Sequence, residues 1–281
     1  MKLVTMIRVK NAIKTIRPCL ASVSKITDEI VIVDNGSTDG TLKAYKDFSK
    51  ITLIKKTKGF NEGRDRILAH KLAKQRNPDW ILWIDADTII EKAATKKHFA
   101  SMMASKTTNH YKFRLFHFWL SKTRYRIDGY WHGYTSRPQH GMWRNLPSAH
   151  FPNLRFHTGG IKGVGDYQTS LIRLKHFGYI DKTEIRKKIK RNLKLKSDNR
   201  AFKGPFLDPE NKNIKTKKWQ DYSLTNPKRH YDKFRWDLIY KFPNIFSRYK
   251  NPNSPITKLV GLVDKRNIAY WDASRIKSQK L

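Results

Sequence analysis

The sequence has a single cysteine and no long apolar run. Cys19 is the only cysteine among 281 residues, which excludes an intrachain disulfide and gives no sign of an oxidising compartment. The N-terminal segment becomes charged too early for a signal peptide, and no run approaches the ~18 apolar residues of a membrane-spanning helix. We therefore expect a soluble, cytoplasmic protein with no transmembrane segment, which leaves a peripheral contact with an anionic membrane open.

Acidic residues are also scarce. The chain has 59 Lys and Arg residues against 23 Asp and Glu residues, a formal net charge of +36. Like charges at this density repel one another, so a polyanionic partner is the natural compensation. Nucleic acid is the commonest such partner, and an anionic membrane surface is the next.

Two common nucleotide-binding motifs are missing, although the first ninety residues alternate between strand and helix patterns. The glycine fingerprint of dinucleotide-binding folds and the phosphate loop with its Lys-Ser/Thr pair are both absent, which excludes a usual dehydrogenase or P-loop enzyme. The alternation nevertheless predicts an α/β fold with a parallel sheet. The predicted strands are Leu3–Val9, Glu29–Val33, Ile51–Ile54 and Trp80–Ile84, and the predicted helices are Ile13–Val23, a segment ending at Phe48, and Gly63–Arg76.

The middle of the chain has a different pattern. Tyr111–Leu120 and Tyr125–Tyr134 are rich in aromatic and basic residues, which indicates strands or extended loops. Proline and glycine interrupt Arg137–Gly165, Leu171–Tyr179 is typical of a strand, and Lys182–Lys196 is typical of a very basic helix. Residues 201–281 are irregular and basic, and we expect a small helical or loop-rich extension there.

Carboxylates follow two of the predicted strands. Asp34 ends the second strand, and Asp85 and Asp87 end the fourth, which is otherwise apolar. The carboxyl ends of parallel strands share one edge of a sheet, where open α/β folds bind their ligands. Carboxylate oxygens there suit Mg²⁺ or Mn²⁺ bound to a diphosphate. Arg8 ends the first strand at this edge and Arg66 (or Arg64) opens the helix before the fourth, where a guanidinium group would meet phosphate.

These segments together resemble family 2 glycosyltransferases of the GT-A fold. The resemblance is close over residues 3–90 and looser to about residue 180. It implies a Rossmann-like, mixed but mainly parallel sheet flanked by helices, in a transferase domain over residues 1–200. Residues 1–90 would bind the nucleotide-sugar and residues 91–200 the acceptor. The matching segments are Ile7-Arg8-Val9-Lys10-Asn11, Cys19-Leu20-x-Ser22, Val31-Ile32-Val33-Asp34-Asn35-Gly36-Ser37-Thr38-Asp39-Gly40 and Trp83-Ile84-Asp85-Ala86-Asp87.

The resemblance also implies a reaction and a set of site residues. The reaction is transfer of a sugar from a nucleoside diphosphate donor, with inversion and with Mn²⁺ or Mg²⁺. Asp34 would contact the nucleobase and Arg66 would lie near the phosphates. Asp85 would reach the ribose or sugar, and Asp85 and Asp87 are the candidate carboxylate ligands of the metal. Arg8 and Asn11 belong to the same donor site. His176, in a segment similar to the late histidine segment of the family, would complete the metal site, with His157 as its rival.

Three positions depart from the family pattern. Ala12 and Ile67 stand where many members have an acid and an asparagine, and Thr158 follows His157 where some have glutamate. The usual acidic motif for the catalytic base is not evident either. An inverting transferase needs a carboxylate to accept the proton of the acceptor hydroxyl. Asp128 and Asp166, in aromatic or glycine-rich surroundings, are the candidates, and Asp128 is favoured.

The basic middle of the chain bears on the acceptor. Aromatic and basic residues interleave there, a composition that can track a phosphate backbone and stack on bases. We expect nucleic acid as the acceptor, namely a hydroxylated base in DNA, as in phage-like DNA modification, flipped out of the duplex. A cell-surface polysaccharide or lipid-linked glycan is the alternative, and a non-catalytic nucleic-acid-binding module is the third. The candidate nucleic-acid contacts are Lys112, Arg114, Lys122, Arg124, Arg126, Arg137, Lys187, Lys188 and Arg191.

Overall fold

The computed structural model describes residues 1–59, 61–127, 138–154, 160–194 and 207–224. The chain divides into two compact units. The first combines Met1–Leu115 with Pro138–Phe177, and the second combines Phe116–Arg137 with Gly178–Leu281. The expected division into residues 1–200 and 201–281 stays a prediction, because most of the later segment lies outside the described residues.

The described elements alternate between strand and helix in the first ninety residues, as predicted. The strands are β1 (Leu3–Val9), β2 (Glu29–Asp34), β3 (Ile51–Lys56), β4 (Trp80–Asp85), β5 (Thr88–Ile90), β6 (His110–His117), β7 (Arg124–Arg126), β8 (Pro138–Arg144), β9 (Gln168–His176) and β10 (Thr216–Lys218). The α-helices are α1 (Ile16–Ser24), α2 (Thr41–Ala44), α3 (Glu62–Lys74), α4 (Lys96–Met103) and α5 (Lys182–Lys194), and a 3₁₀ turn (Tyr45–Asp47) follows α2.

An eight-stranded mixed sheet forms the centre of the first unit. Its order is β3-β2-β1-β4-β8-β6-β9-β5. The first four of these strands run parallel to one another, whereas β8 is antiparallel to β4 and β6, and β5 is antiparallel to β9. Strands β1, β2 and β4 are almost wholly buried, which explains their continuous Val, Ile, Leu and Trp content. The prediction of an α/β fold with a mainly parallel sheet is confirmed for this half.

Helix α1 begins one turn later than predicted. It buries Ile16, Cys19, Leu20 and Val23, a spacing that places one apolar stripe on the sheet. The predicted start at Ile13 was wrong, because the backbone before the helix has other hydrogen-bond partners. The N–H groups of Ala12 and Ile13 donate to the side chains of Thr41, the first residue of α2, and of Asp39, at 2.8 and 3.1 Å.

Strand β8, which was not predicted, lies within Arg137–Gly165, the segment that proline and glycine interrupt. Pro138 is its first residue, a position where the missing N–H group is tolerated. Gly141 occupies a tight point between neighbouring strands, where an added Cβ would lie 3.1 Å from the Nε2 atom of His110. The residues that look like strand breakers therefore fit a strand that begins with proline and approaches β6 closely.

The second unit has a small core of its own. In helix α5, whose predicted helical character is confirmed, Ile185 is buried in a cluster with Trp119, Tyr179 and Leu207. Strands β7 and β10 pair in an antiparallel manner, and Trp219 follows β10. Across the described parts of both units, no helix has the length and apolar content needed to span a membrane.

Candidate active site

The carboxyl ends of β1, β2 and β4 bring the predicted strand-end residues to one edge of the sheet. The pairing register aligns Val9 with Asp34 and Arg8 with Asp85. Adjacent strand ends in a parallel sheet thus place one arginine and two aspartates on neighbouring strands. This arrangement agrees with the expectation from the sequence, since open α/β sheets bind ligands at that edge.

Asp34 is buried completely and organises the loop that follows it. Its Oδ1 atom accepts a hydrogen bond from the backbone N–H of Ser37 at 2.6 Å, and its Oδ2 atom accepts one from the Tyr45 hydroxyl at 2.7 Å. Burial, followed by the neighbouring Asp34 carboxylate, raises the pKa of Tyr45, which keeps this hydroxyl a donor. Asp34 therefore holds the loop after β2 in place through hydrogen bonds, and its direct contact with a nucleobase stays a prediction.

Asn11 fixes the same loop from the end of β1. It adopts a left-handed backbone conformation with φ of 46°, which asparagine tolerates better than most residues. Its backbone N–H donates to the Ser37 hydroxyl, and its side-chain oxygen accepts from the N–H of Thr38, both at 2.8 Å. The segment around Asn11 and the loop after β2 thus form one connected surface.

A polar cluster joins this loop to α3. It was not predicted from the sequence. The Asn35 amide donates to the Oδ2 atom of Asp65 at 3.0 Å and to the Thr57 hydroxyl at 2.9 Å. Arg64 donates to the other carboxylate oxygen of Asp65 through Nε and Nη2, at 2.9 and 2.7 Å. In the sequence, this cluster is visible only as a basic residue next to an acidic one in the first turn of a helix. Such neighbours are common in ordinary surface helices.

Arg66 lies within the site rather than in solvent. Its guanidinium carbon is 3.9 Å from the centre of the Trp83 ring, and its Nη2 atom is 2.5 Å from the Oε1 atom of Glu62. Burial lowers the pKa of Arg66, while the carboxylates of Glu62 and Asp85 oppose that change. A buried guanidinium stacked on an aromatic face is a strong anion-binding group, because it is weakly hydrated and held in one orientation.

Asp85 is held by two donors. The Trp83 indole N–H donates to its Oδ1 atom at 3.2 Å, and the Nε2 atom of His140 lies 3.0 Å from its Oδ2 atom. Burial raises the pKa of Asp85, but His140 and Arg66 outweigh that effect and hold the pKa well below its ordinary value. The side chain is 31 % exposed, so the carboxylate remains accessible from the sheet edge.

Asp87 and His176 come together although 89 positions separate them in the chain numbering. The backbone N–H of Phe177 donates to the Asp87 carbonyl at 2.7 Å, and Thr88 pairs with His176 in the β5–β9 register. The Nε2 atom of His176 then lies 3.4 Å from the Oδ1 atom of Asp87. The two residues predicted as metal ligands are therefore neighbours, and their role as ligands stays a prediction.

The chemistry of this pair fits a divalent cation. One imidazole nitrogen and one carboxylate suit Mn²⁺, and ions of this kind commonly take their remaining ligands from water and substrate phosphates. No group of three or more His, Cys, Asp or Glu residues forms a complete metal site among the described residues. Asp87 and His176 alone would be an incomplete set of ligands, and their role in metal binding stays a prediction.

Three predicted site residues cannot be placed, and a fourth is exposed. Asp128, Arg137 and His157 lie outside the described residues. Asp166 is exposed and follows Gly165, which has a φ of 76°. The predicted catalytic base therefore has one described candidate, which lies in a solvent-accessible irregular segment before β9.

Two of the predicted nucleic-acid contacts are buried. Arg114 and Arg126 are 1 % and 0 % exposed, and the guanidinium carbon of Arg126 lies 4.4 Å from the centre of the Trp119 ring. We correct the prediction for these two residues, because their side chains stabilise the protein interior and do not form an outward surface. The amino group of Lys112 is also engaged, 3.9 Å from the centre of the Tyr167 ring.

The remaining described contacts lie mostly at the surface. Lys122, just before β7, and Arg124, its first residue, are exposed, and Arg124 donates to the hydroxyl and carbonyl oxygens of Thr216. Along α5, Lys187 and Arg191 are exposed, and Lys188 lies over the Tyr179 ring. A basic surface therefore exists on the second unit, though it is smaller than the sequence pattern indicates.

Comparison with known proteins decides the family. The sequence profile described as "Glycosyl transferase family 2" matches residues 5–161, more than half of the chain. The chain belongs to glycosyl transferase family 2. The matched segment includes Asp34, Arg66, Asp85, Asp87 and His140, so the family assignment covers most of the site built above.

Individual relatives of this family 2 chain match over shorter segments. An uncharacterised glycosyltransferase of Rickettsia prowazekii (strain Madrid E) is 35% identical over 86 residues, which cover 31% of this chain and 28% of the relative. An uncharacterised protein of Mycobacterium tuberculosis (strain H37Rv) is 26% identical over 99 residues, 32% of this chain and 24% of the relative. The match thus spans about a quarter of the length of these curated relatives.

Solved structures give a weaker likeness. The crystal structure of S. aureus TarS 1-349 is 17% identical, with coverage of 89% of this chain and 79% of that chain and a TM-score of 0.45. Glucosyl-3-phosphoglycerate synthase from Mycobacterium tuberculosis, in complex with Mn²⁺, UDP and glucosyl-3-phosphoglycerate, is 17% identical with a TM-score of 0.31. That match covers 42% of this chain and 44% of the other.

Proposed function

We propose that this family 2 protein is an inverting, metal-dependent glycosyltransferase that moves a sugar from a nucleoside diphosphate donor to a hydroxyl acceptor. One observation carries the proposal: Asp87 lies beside His176 at the same sheet edge where Asp85 and the buried Arg66 converge. A nitrogen and oxygen ligand pair next to a buried guanidinium suits a cation and a diphosphate together.

Each residue has a part in the proposed reaction. Asp87 and His176 would hold Mn²⁺ or Mg²⁺, which when bound neutralises charge on the departing diphosphate. Arg66, held by Glu62 and Trp83, faces the phosphates with a fixed positive charge. The acceptor oxygen forms a bond to the anomeric carbon while the bond from that carbon to the phosphate oxygen breaks, and the hydroxyl proton passes to a carboxylate.

The carboxylate that accepts the proton is Asp128 or Asp166. Asp166 is exposed, as a base that meets an incoming acceptor must be. Replacing each in turn by asparagine separates them. The variant that lacks the true base should lose most of its kcat and keep its affinity for the donor. This is because the base contacts the acceptor and not the nucleotide.

A polyanionic acceptor, DNA with a hydroxylated base, is the finer part of the proposal. The net charge of +36 exceeds what a diphosphate requires, and Lys122, Arg124, Lys187 and Arg191 remain exposed. A cell-surface or lipid-linked glycan is the alternative acceptor. The burial of Arg114 and Arg126 removes two of the basic side chains that were predicted to contact DNA. A cytoplasmic location stays a prediction.

The donor half is tested first. UDP-, GDP-, CDP- and dTDP-sugars are incubated with the protein and Mn²⁺, and release of nucleoside diphosphate is measured. We expect one nucleotide class to turn over, with activity lost in Asp87→Asn and kept in Asp79→Asn. Asp79 precedes the opposite end of β4, where its side chain accepts a hydrogen bond from the backbone N–H of Lys2 at 2.6 Å. No turnover by the wild type with any of these donors would favour the non-catalytic binding module, and equal turnover in both variants would exclude a role for Asp87.

The acceptor half needs its own assay. A labelled sugar nucleotide is offered with hydroxymethylated DNA, unmodified DNA or lipid-linked glycan. Label in hydroxymethylated DNA alone, together with DNA affinity that falls steeply with salt, supports the nucleic-acid acceptor. Label in the glycan, with DNA binding that salt does not change, supports the alternative. Lys187→Glu with Arg191→Glu lowers DNA affinity if α5 contributes to that surface.

A further inference from the structure

His140 occupies an unusual position for a strand histidine. Its side chain is 4 % exposed, and its ring centre lies 5.0 Å from that of Trp83. Its Nδ1 atom is buried with no hydrogen-bond partner among the described residues. A buried polar atom without a partner is costly, so an apolar residue would stabilise this strand position better. The one polar contact described for the ring is the bond from Nε2 to Asp85.

That contact completes a two-sided restraint on Asp85. Trp83 holds the Oδ1 atom at 3.2 Å and His140 holds the Oδ2 atom at 3.0 Å, so the carboxylate cannot rotate without losing a bond. Trp83 is itself stacked under the Arg66 guanidinium at 3.9 Å. The orientation of Asp85 is therefore tied to the group that faces the diphosphate.

The two aspartates after β4 have different histidine partners. The Nε2 atom of His176 lies 3.4 Å from the Oδ1 atom of Asp87. The Nε2 atom of His140 lies closer to Asp85, at 3.0 Å from its Oδ2 atom, and engages an oxygen that a cation would otherwise attract. The contact with His140 thus gives Asp85 a restraint of its own.

We infer that His140 is a positioning residue that, with Trp83, holds Asp85 as an acceptor for hydroxyl groups of the donor and keeps it apart from the cation. The inference rests on the proposed function and adds to it a residue outside the motifs that point to the family. Because the restraint acts through Asp85, its effect falls on nucleotide affinity and not on the cation requirement.

Calorimetry of nucleotide binding at saturating Mn²⁺ tests the positioning role of His140. The ligand is whichever of UDP, GDP, CDP and dTDP the wild type binds best. His140→Phe keeps the ring against Trp83 and removes the donor, and we expect about tenfold weaker nucleotide binding. His140→Gln restores a donor, and we expect affinity within about threefold of the wild type. His70→Phe is the matched control, since His70 is also buried with aromatic neighbours and lies on α3, and it leaves affinity unchanged.

Two further readouts separate positioning from a loss of folding. When Asp85 is already replaced by Asn, adding His140→Phe should cause almost no further loss of nucleotide affinity, because the two residues act as one unit. The Mn²⁺ concentration for half-maximal nucleotide binding should stay within about twofold of the wild-type value in His140→Phe, and it should rise in Asp87→Asn. Additive losses with Asp85→Asn, or wild-type affinity in His140→Phe, would overturn the inference alone. Absence of any nucleotide binding by the wild type would overturn the proposed function and this inference with it.

Discussion

The hydroxyl of Tyr45 donates to the buried carboxylate of Asp34 at 2.7 Å, which ties the 3₁₀ turn after α2 to the end of β2. Tyr45→Phe removes the donor and leaves one oxygen of a fully buried carboxylate unsatisfied. We expect a loss of about 1–3 kcal/mol in the free energy of unfolding and a higher KM for the donor. Urea denaturation and steady-state kinetics measure the two effects.

Tyr111→Phe is the matched control. Its hydroxyl donates to the carbonyl of Met102 at 3.1 Å, a neutral contact on β6. We expect a loss of about 1 kcal/mol or less and an unchanged KM. Equal effects of the two substitutions on KM would argue that Asp34 has no part in donor binding.

The Arg66–Glu62 pair is the second test, because both side chains are only 9% exposed. Arg66→Met leaves the Glu62 carboxylate buried without its partner, and we expect a loss of about 3–5 kcal/mol in unfolding free energy. Adding Glu62→Gln removes the unpaired charge and recovers much of that stability, while donor affinity stays low. Recovery of donor affinity in the double variant would contradict a phosphate-binding role for Arg66.

Glu91 and Arg173 join β5 to β9, the two strands whose register brings Asp87 and His176 together. Glu91 follows β5 and accepts from the Nη2 and Nε atoms of Arg173 in β9, at 2.9 and 3.1 Å. Glu91→Gln breaks a buried pair, so we expect a loss of about 3–5 kcal/mol and a higher Mn²⁺ requirement. Glu210→Gln, which disrupts exposed pairs with Lys182 and Arg186, changes stability by less than about 1 kcal/mol. Similar losses in both variants would contradict this account.

His70 and His110 predict a pH dependence of stability. Burial, with a smaller effect of Lys74 on His70 and of Lys112 on His110, lowers both pKa values from 6.5 to about 4. The unfolded chain binds more protons than the folded chain between pH 6.5 and 4, so stability falls as the pH drops through this window. Each histidine accounts for up to about 3 kcal/mol of that fall.

His70→Phe checks the pH effect by removing one of the two groups. In urea denaturation at pH values from 7 to 4, the part of the fall in unfolding free energy that the two histidines cause should be about half as large in the variant as in the wild type. An identical pH profile in the variant would show that His70 titrates normally in the folded protein.

The sequence predicted the parallel half of the sheet well because each strand is a short apolar run that ends at a polar residue. Asp34, Asp85 and Asp87 were located for the same reason. Strand β8 was missed because Pro138 and Gly141 resemble breaks, and their fit depends on β6. His140 was missed with it, since a single histidine in such a segment carries no periodic signal.

Burial of charge was the other feature that the sequence did not predict. Arg114 and Arg126 interleave with aromatic residues, a pattern shared by nucleic-acid surfaces and by interiors in which guanidinium groups stack on rings. The contact between Arg126 and Trp119, 4.4 Å from the ring centre, shows the second case. Pairings of this kind depend on tertiary contacts and not on spacing along the chain.

The most direct test of the central claim compares wild type, Asp87→Asn and His176→Gln in sugar-nucleotide turnover over a range of Mn²⁺ concentrations. We predict turnover that EDTA abolishes and Mn²⁺ restores, a loss of at least about 100-fold in Asp87→Asn, and a raised Mn²⁺ requirement in His176→Gln. Turnover in Asp87→Asn within twofold of the wild type, at the same Mn²⁺ requirement, would contradict the claim that this pair holds the metal of a glycosyltransferase.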